Sequence, residues 1–541
     1  AIPGEGVGLI PIFYSSFLIL APLALVDGAM FAFGVRAYAH LTSNEVPSIG
    51  WVYVYEAVGG IGGGILFTFL FVPLLLSVQI ALLLSVLNLL SASLILTSSY
   101  LSTRKRLLLS SLAVVLLLST SLGLFLAPQV EEVQHWLAGQ QWAGHNLVYS
   151  QNSVYGNVAV VRRETQYTFY ADGIPILTAP VPDVVQSEEI VHFPMLFFPD
   201  RPRRALVLSG GVGGVLRELG KYPLEQIDYA ELDPLLIEAV SEHATPLTVS
   251  ELSDPRMRVE YVDGRLLVRN RSWELARQLG AGYDLVIVNL PYPSTLQLNR
   301  FYTLEFYQMV RELMTEHGIL IISCPGSLSY VSDELRDLNT MLHHTLQGAF
   351  PYVRPIPGDS TTLWLASSSD ELTAAQVGTL IGRWEERGLE SNLLTAPYLR
   401  HRFDQRYLNW FWEALGDKER AGRPTINRDM HPVGLFYGLS YWNALFSPDL
   451  ARVLALADGL DWRFLGPLFL GCGLAYLAVL KLTGRGKGAV IPIVIAATGF
   501  TGMTADLVFV FAFQTLYGYV YHWIGLIIAA FLAGLSLGGL V

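Results

Sequence analysis

The segment Ala205–Asp233, ALVLSGGVGGVLRELGKYPLEQIDYAELD, decides the fold of this chain. Its first residues form an apolar run that predicts a buried parallel strand, and the glycine turn Ser209–Gly214 leads from it into a helix. A second predicted strand ends at Glu231, where a carboxylate can accept hydrogen bonds from a ribose diol. This order of strand, glycine turn, helix, strand and acid predicts a βαβ nucleotide-binding unit. The candidate cofactor-binding residues of the unit are Gly210, Gly211, Gly213 and Glu231.

Two later segments place further polar groups at strand ends. Arg258–Val262 predicts a strand followed by Asp263 and Gly264, and this acid could accept a hydrogen bond from an adenine amino group. Tyr283–Val288 predicts another buried strand, and the rigid loop Asn289–Pro293 follows it. Because open α/β sheets bind ligands at the carboxyl ends of their strands, we expect these groups to line one cleft.

Each of these motifs also has a purely structural interpretation. The glycines could serve only to pack a helix against a strand, and Glu231 could cap a strand end or form a salt bridge. Asp263-Gly264 is a common turn dipeptide, and Asn289 suits a side chain that fixes a loop. The residues alone leave both interpretations open.

The composition indicates a membrane protein. Hydrophobic residues make up 52% and charged residues 15% of the 541 residues, and the mean hydropathy is +0.42. Soluble domains carry about 25% charged residues, so the low charge content favours membrane segments. The formal net charge of -11 offers no basic surface for nucleic acid, and we expect no nucleic-acid partner. With only Cys324 and Cys472 present, we predict neither a disulfide nor a metal site.

Apolar runs of about 20 residues, the length that spans a bilayer, lie at both ends of the chain. They are Gly8–Tyr38, Trp51–Leu75, Gln79–Tyr100, Leu107–Ala127, Gly466–Leu482, Ala489–Tyr517 and Val520–Val541. We therefore predict a multi-span α-helical membrane protein with an inserted α/β domain. The predicted parts are 1–127 (about four spans), 128–200 (small β subdomain and linker), 201–400 (α/β domain), 401–463 (amphipathic linker) and 464–541 (about three spans). Because Ala1 and Val541 look like incomplete ends, we expect more spans than these.

Basic residues predict how the chain is oriented. Arg104–Arg106 precede the fourth run, and Lys481, Arg485 and Lys487 lie at and just after the end of the fifth. The positive-inside rule puts both turns in the cytoplasm, so the intervening domain would face the periplasm or the cell exterior. We expect an integral protein of a bacterial inner or cell membrane, with the lipid bilayer and other membrane-complex subunits as partners.

Three acidic residues, Asp27, Glu56 and Asp506, lie inside predicted spans. Charges within a bilayer are costly and commonly mark proton, ion or substrate paths. The alternative is a polar clasp, in which a protonated or hydrogen-bonded acid holds helices together, and the lack of basic residues deep in any run favours it. A weak repeat between Tyr53–Gly59 and Tyr519–Gly525 also points toward a transporter.

These motifs resemble those of the spermidine synthase (aminopropyltransferase) family, whose fold is class I methyltransferase-like. Ser209–Glu218 is similar to the family's GGGDGG-x-LRE, and Ala230–Asp233 is similar to its V-E-I-D. Membrane-fused members are similar over a longer stretch that includes Gln297–Thr303 (QLNRFYT) and Asn427–Pro432 (N-x-D-x-x-P). The resemblance implies a spermidine synthase-like domain preceded by a small β-hairpin subdomain. It also implies decarboxylated S-adenosylmethionine or a related nucleoside as the ligand.

The loop that carries the chemistry departs from the family. The resemblance implies D-S-x-D-P at Asn289–Pro293, with two aspartates that deprotonate the attacking amine and hold the polyamine. Asn289 and Tyr292 occupy those catalytic positions, and Val212 replaces the acid of the glycine turn. An asparagine cannot act as a base, and a neutral phenol is a poor anchor for an ammonium group.

We therefore predict a membrane-bound pseudoenzyme that retains a nucleoside cleft, with degenerate aminopropyl-transfer residues. Two alternatives remain. The first is a non-enzymatic docking subunit of a membrane complex, including an electron-transfer complex, and the second is a transporter-like protein.

Overall fold

The computed structural model describes residues 8–42, 45–97, 103–125, 127–275, 282–416, 425–447, 450, 462–483, 486–518 and 523–539. The amino-terminal helices are α1 (Leu9–Thr42), α2 (Glu45–Leu66), α3 (Val72–Leu74), α4 (Ser77–Thr97), α5 (Thr103–Phe125) and α6 (Ala127–Gln141), with a π-helical turn at Phe67–Phe71. The predicted runs Gly8–Tyr38, Gln79–Tyr100 and Leu107–Ala127 fall mainly on α1, α4 and α5, and Trp51–Leu75 extends over α2, the π-helical turn and α3. Residues 98–100 and 126 of these runs lie outside the described residues.

A four-stranded antiparallel sheet follows, in the order β1-β2-β3-β4. Its strands are β1 (Leu147–Asn152), β2 (Asn157–Arg163), β3 (Gln166–Ala171) and β4 (Ile174–Ala179). Val158, Val160 and Phe169 are buried from this sheet into the core of the next domain. The small sheet therefore packs directly on the larger domain.

The larger domain contains a seven-stranded sheet in the order β10-β11-β9-β8-β5-β6-β7. Its strands are β5 (Arg204–Leu208), β6 (Gln226–Glu231), β7 (Met257–Tyr261), β8 (Tyr283–Val288), β9 (Met314–Pro325), β10 (Tyr352–Ile356) and β11 (Thr361–Ser367). Strands β5 to β9 pair in parallel, and β10 and β11 join antiparallel at one edge.

Helices cover both faces of this sheet. They are α7 (Val184–Leu196), α8 (Val215–Gly220), α9 (Pro234–Glu242), α10 (Pro246–Leu252), α11 (Gly264–Leu275), α12 (Leu296–Asn299), α13 (Leu304–Leu313), α14 (Asp333–Ala349), α15 (Glu371–Ala374) and α16 (Val377–Arg387). Because successive side chains of a strand point to opposite faces, Val207 joins one buried core and Leu206 and Leu208 join the other. The continuous apolar runs of β5 and β8 are thus explained by burial on both sides.

Three helices, α17 (Ala396–Arg402), α18 (Gln405–Leu415) and α19 (Val433–Phe446), lead back toward the apolar helices α20 (Trp462–Thr483), α21 (Gly486–Tyr517) and α22 (Ile524–Gly539). By length and composition, four helical stretches can cross a membrane: Leu9–Leu41, Ile49–Leu74, Ser77–Ile95 and Val494–Thr515. Leu109–Thr120, Gly466–Tyr476 and Ile524–Gly538 are shorter apolar stretches. The predicted repeat cannot be followed, because Tyr519–His522 lie outside the described residues.

Glycines bring α2 and α22 into close contact. A side chain at Gly64 would meet the backbone oxygen of Gly525, and its Cβ would lie 3.2 Å from the Cβ of Ala529. A Cβ at Gly60 would lie 2.7 Å from Leu532. Small residues at such positions let helix backbones approach closely, which is the usual basis of helix association in membranes.

We expect Gly64→Leu to destabilise the packing of α2 on α22, because overpacking a close contact typically costs about 1–3 kcal/mol. Thermal unfolding of the full chain in detergent measures the change. Gly62→Leu is the matched control, since a Cβ at Gly62 has nothing within 4 Å among the described residues. Equal unfolding midpoints for the two variants would contradict the contact.

Candidate functional site

The parallel pairing of the central strands brings the predicted site residues to one edge of the sheet. Leu208, the last residue of β5, pairs with Ala230 of β6 and with Val288 of β8. The glycine turn, Glu231 and Asn289 therefore begin side by side. Glu231 also pairs with Tyr261 at the end of β7, just before Asp263.

Glu231 is held in place by two hydrogen bonds. The Tyr229 hydroxyl donates to Oε2 at 2.5 Å, and the Leu232 N–H donates to Oε1 at 2.9 Å. Burial raises the pKa of Glu231 above its ordinary value, although both hydrogen bonds oppose that shift. Tyr229 also packs under the glycine turn, where a Cβ at Gly211 would lie 2.8 Å from its ring. One tyrosine thus links the turn to the acid.

A buried carboxylate, Glu251 of α10, holds the second half of the glycine turn. Its Oε2 accepts the N–H of Gly213 at 2.9 Å, and its Oε1 accepts the N–H groups of Gly214 at 2.7 Å and Arg217 at 3.2 Å. Burial raises the pKa of Glu251, and these three amides oppose the shift. The anion-binding amides at the start of α8 are therefore occupied by the protein itself.

Asn289 and Tyr292 both contact other parts of the protein. The Asn289 side-chain amide donates to the Gly210 carbonyl at 2.8 Å, and its oxygen accepts from the Gln186 amide at 3.0 Å. The Tyr292 ring packs edge-on against Tyr441 of α19, with ring centroids 5.4 Å apart. Burial, followed by the proximity of Tyr441, raises the pKa of Tyr292 above its ordinary value.

The small sheet closes another side of the cleft. The Ser153 hydroxyl donates to Asp233 Oδ2 at 2.6 Å, and Leu177 of β4 covers Gly213, where a Cβ would lie 2.9 Å from the leucine Cβ. Burial, followed by the charges of Asp233 and Asp263, raises the pKa of Tyr155 above its ordinary value.

Asn427 and Asp429 hold the segment between α12 and α13 in place. The fully buried Asn427 donates from its side chain to Asn299 and to the Tyr302 carbonyl, both at 2.9 Å. Asp429 accepts from the Thr303 hydroxyl at 2.7 Å and pairs with Arg265 at 2.5 Å. This segment fixes the entry into α13 and, through Arg265, the first turn of α11.

Residues 183–376 match the family model of the Spermine/spermidine synthase domain. Polyamine aminopropyltransferase 2 of Aquifex aeolicus is 30% identical over 393 residues, which cover 72% of this chain and 72% of that protein. The chain belongs to the spermidine synthase family. The predicted resemblance, including the class I methyltransferase-like domain, is confirmed.

Other matches cover less of the sequence. The polyamine aminopropyltransferase of Oceanobacillus iheyensis is 27% identical over 288 residues, 52% of this chain and 54% of that protein. A crystal structure of spermidine synthase in complex with the transition state analogue AdoDATO aligns with a TM-score of 0.41 and 22% identity, over 50% of this chain and 88% of that chain.

Within this spermidine synthase family member, the three acids of the predicted spans lie on apolar helices. Asp27 and Glu56 are exposed on α1 and α2, and Asp506 is half-buried on α21. In the part of the chain that the structure describes, none of the three forms a hydrogen bond or an ion pair. The clasp and the path interpretations both remain predictions.

Sequence reasoning missed Glu251, Tyr229 and Gln186. Glu251 sits in an ordinary helical segment more than thirty residues from the turn it holds, so no local pattern marks it. Tyr229 lies within a buried strand, where an aromatic residue predicts only core packing. Arg300 could have been singled out from the sequence as a candidate functional residue, since it is a lone charge within the QLNRFYT motif.

We expect Glu251→Gln to destabilise the domain by about 1–3 kcal/mol, because the carboxamide NH₂ group would face a backbone N–H and leave it unsatisfied. Urea unfolding of the full chain in detergent, followed by tryptophan fluorescence, measures the change. Glu242→Gln, on the exposed end of α9, is the matched control. A variant as stable as this control would contradict the assigned role.

Proposed function

We propose that this protein is a membrane-bound member of the spermidine synthase family that binds a nucleoside in its cleft. Decarboxylated S-adenosylmethionine, or a nucleoside derived from it, is the proposed ligand. The observation that carries the proposal is the convergence of Glu231, Asp233 and Asp263 at adjacent strand ends. A ribose diol and an amino-bearing base suit those acceptors, and a sulfonium cation suits their charge.

The proposal includes loss of the family's usual aminopropyl transfer. In that reaction the amine nitrogen attacks the carbon bound to the sulfonium, the carbon–sulfur bond breaks, and the amine proton needs an acceptor. Loop residues 289–293 supply no carboxylate. The Asn289 amide is engaged with Gly210, and burial makes the Tyr292 phenol harder to ionise. These features support a domain that binds without turning over.

We expect calorimetry to detect binding of methylthioadenosine to the full chain in detergent. Glu231→Gln should weaken binding about 10- to 100-fold, because a hydrogen bond to a charged group contributes about 1.5–3 kcal/mol. Glu385→Gln, an exposed glutamate on α16, is the control. No heat at millimolar ligand would refute nucleoside binding, whereas spermidine formation from a diamine by the unmodified chain would refute the loss of chemistry.

Membrane insertion is the second part of the proposal. Large apolar side chains face outward on α1, where Phe13, Phe17 and Leu18 are 64%, 65% and 75% exposed. A surface of this kind on a 34-residue helix suits lipid far better than water. If the seven apolar helices alternate in direction across the membrane, the start of α1 and the end of α21 lie on the same side as the soluble domain. Both helix ends contact that domain, since the Leu9 N–H donates to Asn443 and Gly518 lies against Arg300.

The same alternation supports an extracytoplasmic soluble domain. It puts Arg104, at the start of α5, and Lys481, near the end of α20, on the membrane face opposite that domain. By the positive-inside rule that face is cytoplasmic.

We expect protease added to intact spheroplasts to cleave the soluble domain, with cleavage detected by antibody to an epitope tag inserted at residues 417–424. The matched control carries the tag at residues 484–485, between α20 and α21 in the sequence, and this tag should be protected until detergent is added. Protection of the first tag and cleavage of the second would reverse the proposed orientation.

A docking role in a membrane complex is the second candidate. The exposed acids Asp27 and Glu56 favour it, because a carboxylate on the lipid-facing side of a helix is stabilised by a polar partner. Absence of nucleoside binding in the calorimetry would leave this candidate as the better account.

A further inference from the structure

Arg300 is a buried cation next to the acid on the base side of the cleft. It follows α12, its side chain is 1% exposed, and its Nη1 donates to Asp263 Oδ2 at 2.7 Å. The other oxygen of Asp263 accepts the backbone N–H groups of Arg265 at 3.0 Å and Leu266 at 3.1 Å. Both oxygens of this carboxylate are therefore engaged within the chain.

This arrangement places a guanidinium N–H at the oxygen that could accept the adenine amino group. Oδ1 is committed to the start of α11, so Oδ2 is the oxygen left for a ligand. An amino-bearing base therefore has to share Oδ2 with Arg300 or displace it. A base without an amino donor gains nothing from this oxygen.

The carboxyl-terminal end of α21 lies against the same pair. Gly518 follows α21, is buried, and has a φ of +82°, a conformation that favours glycine. A side chain at this position would overlap the Arg300 guanidinium, and its Cβ would lie 2.7 Å from Asp263 Oδ2. A cation at the carboxyl end of a helix is also favoured by the unpaired carbonyl groups there.

Two N–H donor groups of Arg300 remain for carbonyl groups at that helix end. Its Nε and Nη2 are buried and have no hydrogen-bond partner in the described part of the chain. Burial lowers the pKa of Arg300, and the charge of Asp263 opposes this. The charge of this buried guanidinium is compensated by Asp263 and, after it, by Asp429.

We propose that Arg300 and the end of α21 form the base side of the cleft, and that Arg300 competes with the nucleobase for Asp263. Seating of α21 on the soluble domain and occupation of the base site then exclude each other. The inference rests on the proposed nucleoside binding and deepens it. It assigns Arg300 and Gly518 as residues that set the affinity for amino-bearing purine nucleosides.

Arg300→Met and Gly518→Ala test the competition in the full chain in detergent. Arg300→Met removes the competing donor, and Gly518→Ala forces the helix end away from the guanidinium. If the binding-competent state is a minor one, its release should tighten methylthioadenosine binding at least about tenfold in both variants. Calorimetry measures the affinities. Arg406→Met, at an exposed arginine, and Gly534→Ala, at an uncrowded helical glycine, are the matched controls.

Hydrogen exchange on the unmodified chain supplies a second readout. Saturating methylthioadenosine should speed amide exchange over residues 511–518, because ligand and helix end exclude each other. Binding that is unchanged or weaker in both variants would overturn the competition and leave the nucleoside site standing. Binding without any change in exchange would overturn the coupling to α21. Absence of binding in every variant would refute the proposed function, and the competition with it.

Discussion

The parallel pairing of β5 with both β6 and β8 is the constraint on which the site depends. It aligns Leu208, Ala230 and Val288 in one row, so that the next residues of all three strands emerge together. The glycine turn then has to leave the sheet in a narrow space, and Tyr229 and Glu251 fill that space on its two sides. Glu231 and Asp233 follow Ala230 of β6, and Asp263 follows Tyr261 of β7, which pairs with Glu231, so strand pairing brings these three acids together.

The hydrogen bonds that these acids accept within the chain show which carboxylates hold the structure and which could still accept from a ligand. Both oxygens of Glu251 accept hydrogen bonds from backbone amides. One oxygen of Asp263 accepts from backbone amides, and the other accepts from the Arg300 guanidinium. Glu231 is fixed by one phenol and one amide and keeps further acceptor capacity. Glu231 can therefore accept a further hydrogen bond from a ligand, whereas both oxygens of Asp263 already accept hydrogen bonds within the chain.

Much of the fold could be read from the sequence, for a physical reason. Buried parallel strands require continuous apolar runs, and Ala205–Leu208 and Tyr283–Val288 have them, so the strands and the order of their ends followed directly. The apolar helices could be predicted in the same way, from their long apolar runs. Asn289 and Tyr292 stood out because a family pattern specifies acids there.

The contacts made over long distances in the chain could not be read. Glu251 and Gly518 are ordinary residues in their local context, and both, like Arg300, gain their roles from partners that only the tertiary fold brings near. The Gly518 contact joins residues more than two hundred positions apart. No periodicity or motif spacing carries information of that kind.

The contact between Gly518 and Arg300 means that the cleft is not contained within the α/β domain. A fragment that ends before α20 would keep Glu231, Asp233 and Asp263, yet it would lose the proposed wall that Gly518 provides. Its ligand preferences would belong to a different, more open cleft. For this protein, the end of the apolar helix α21 is part of the proposed binding site.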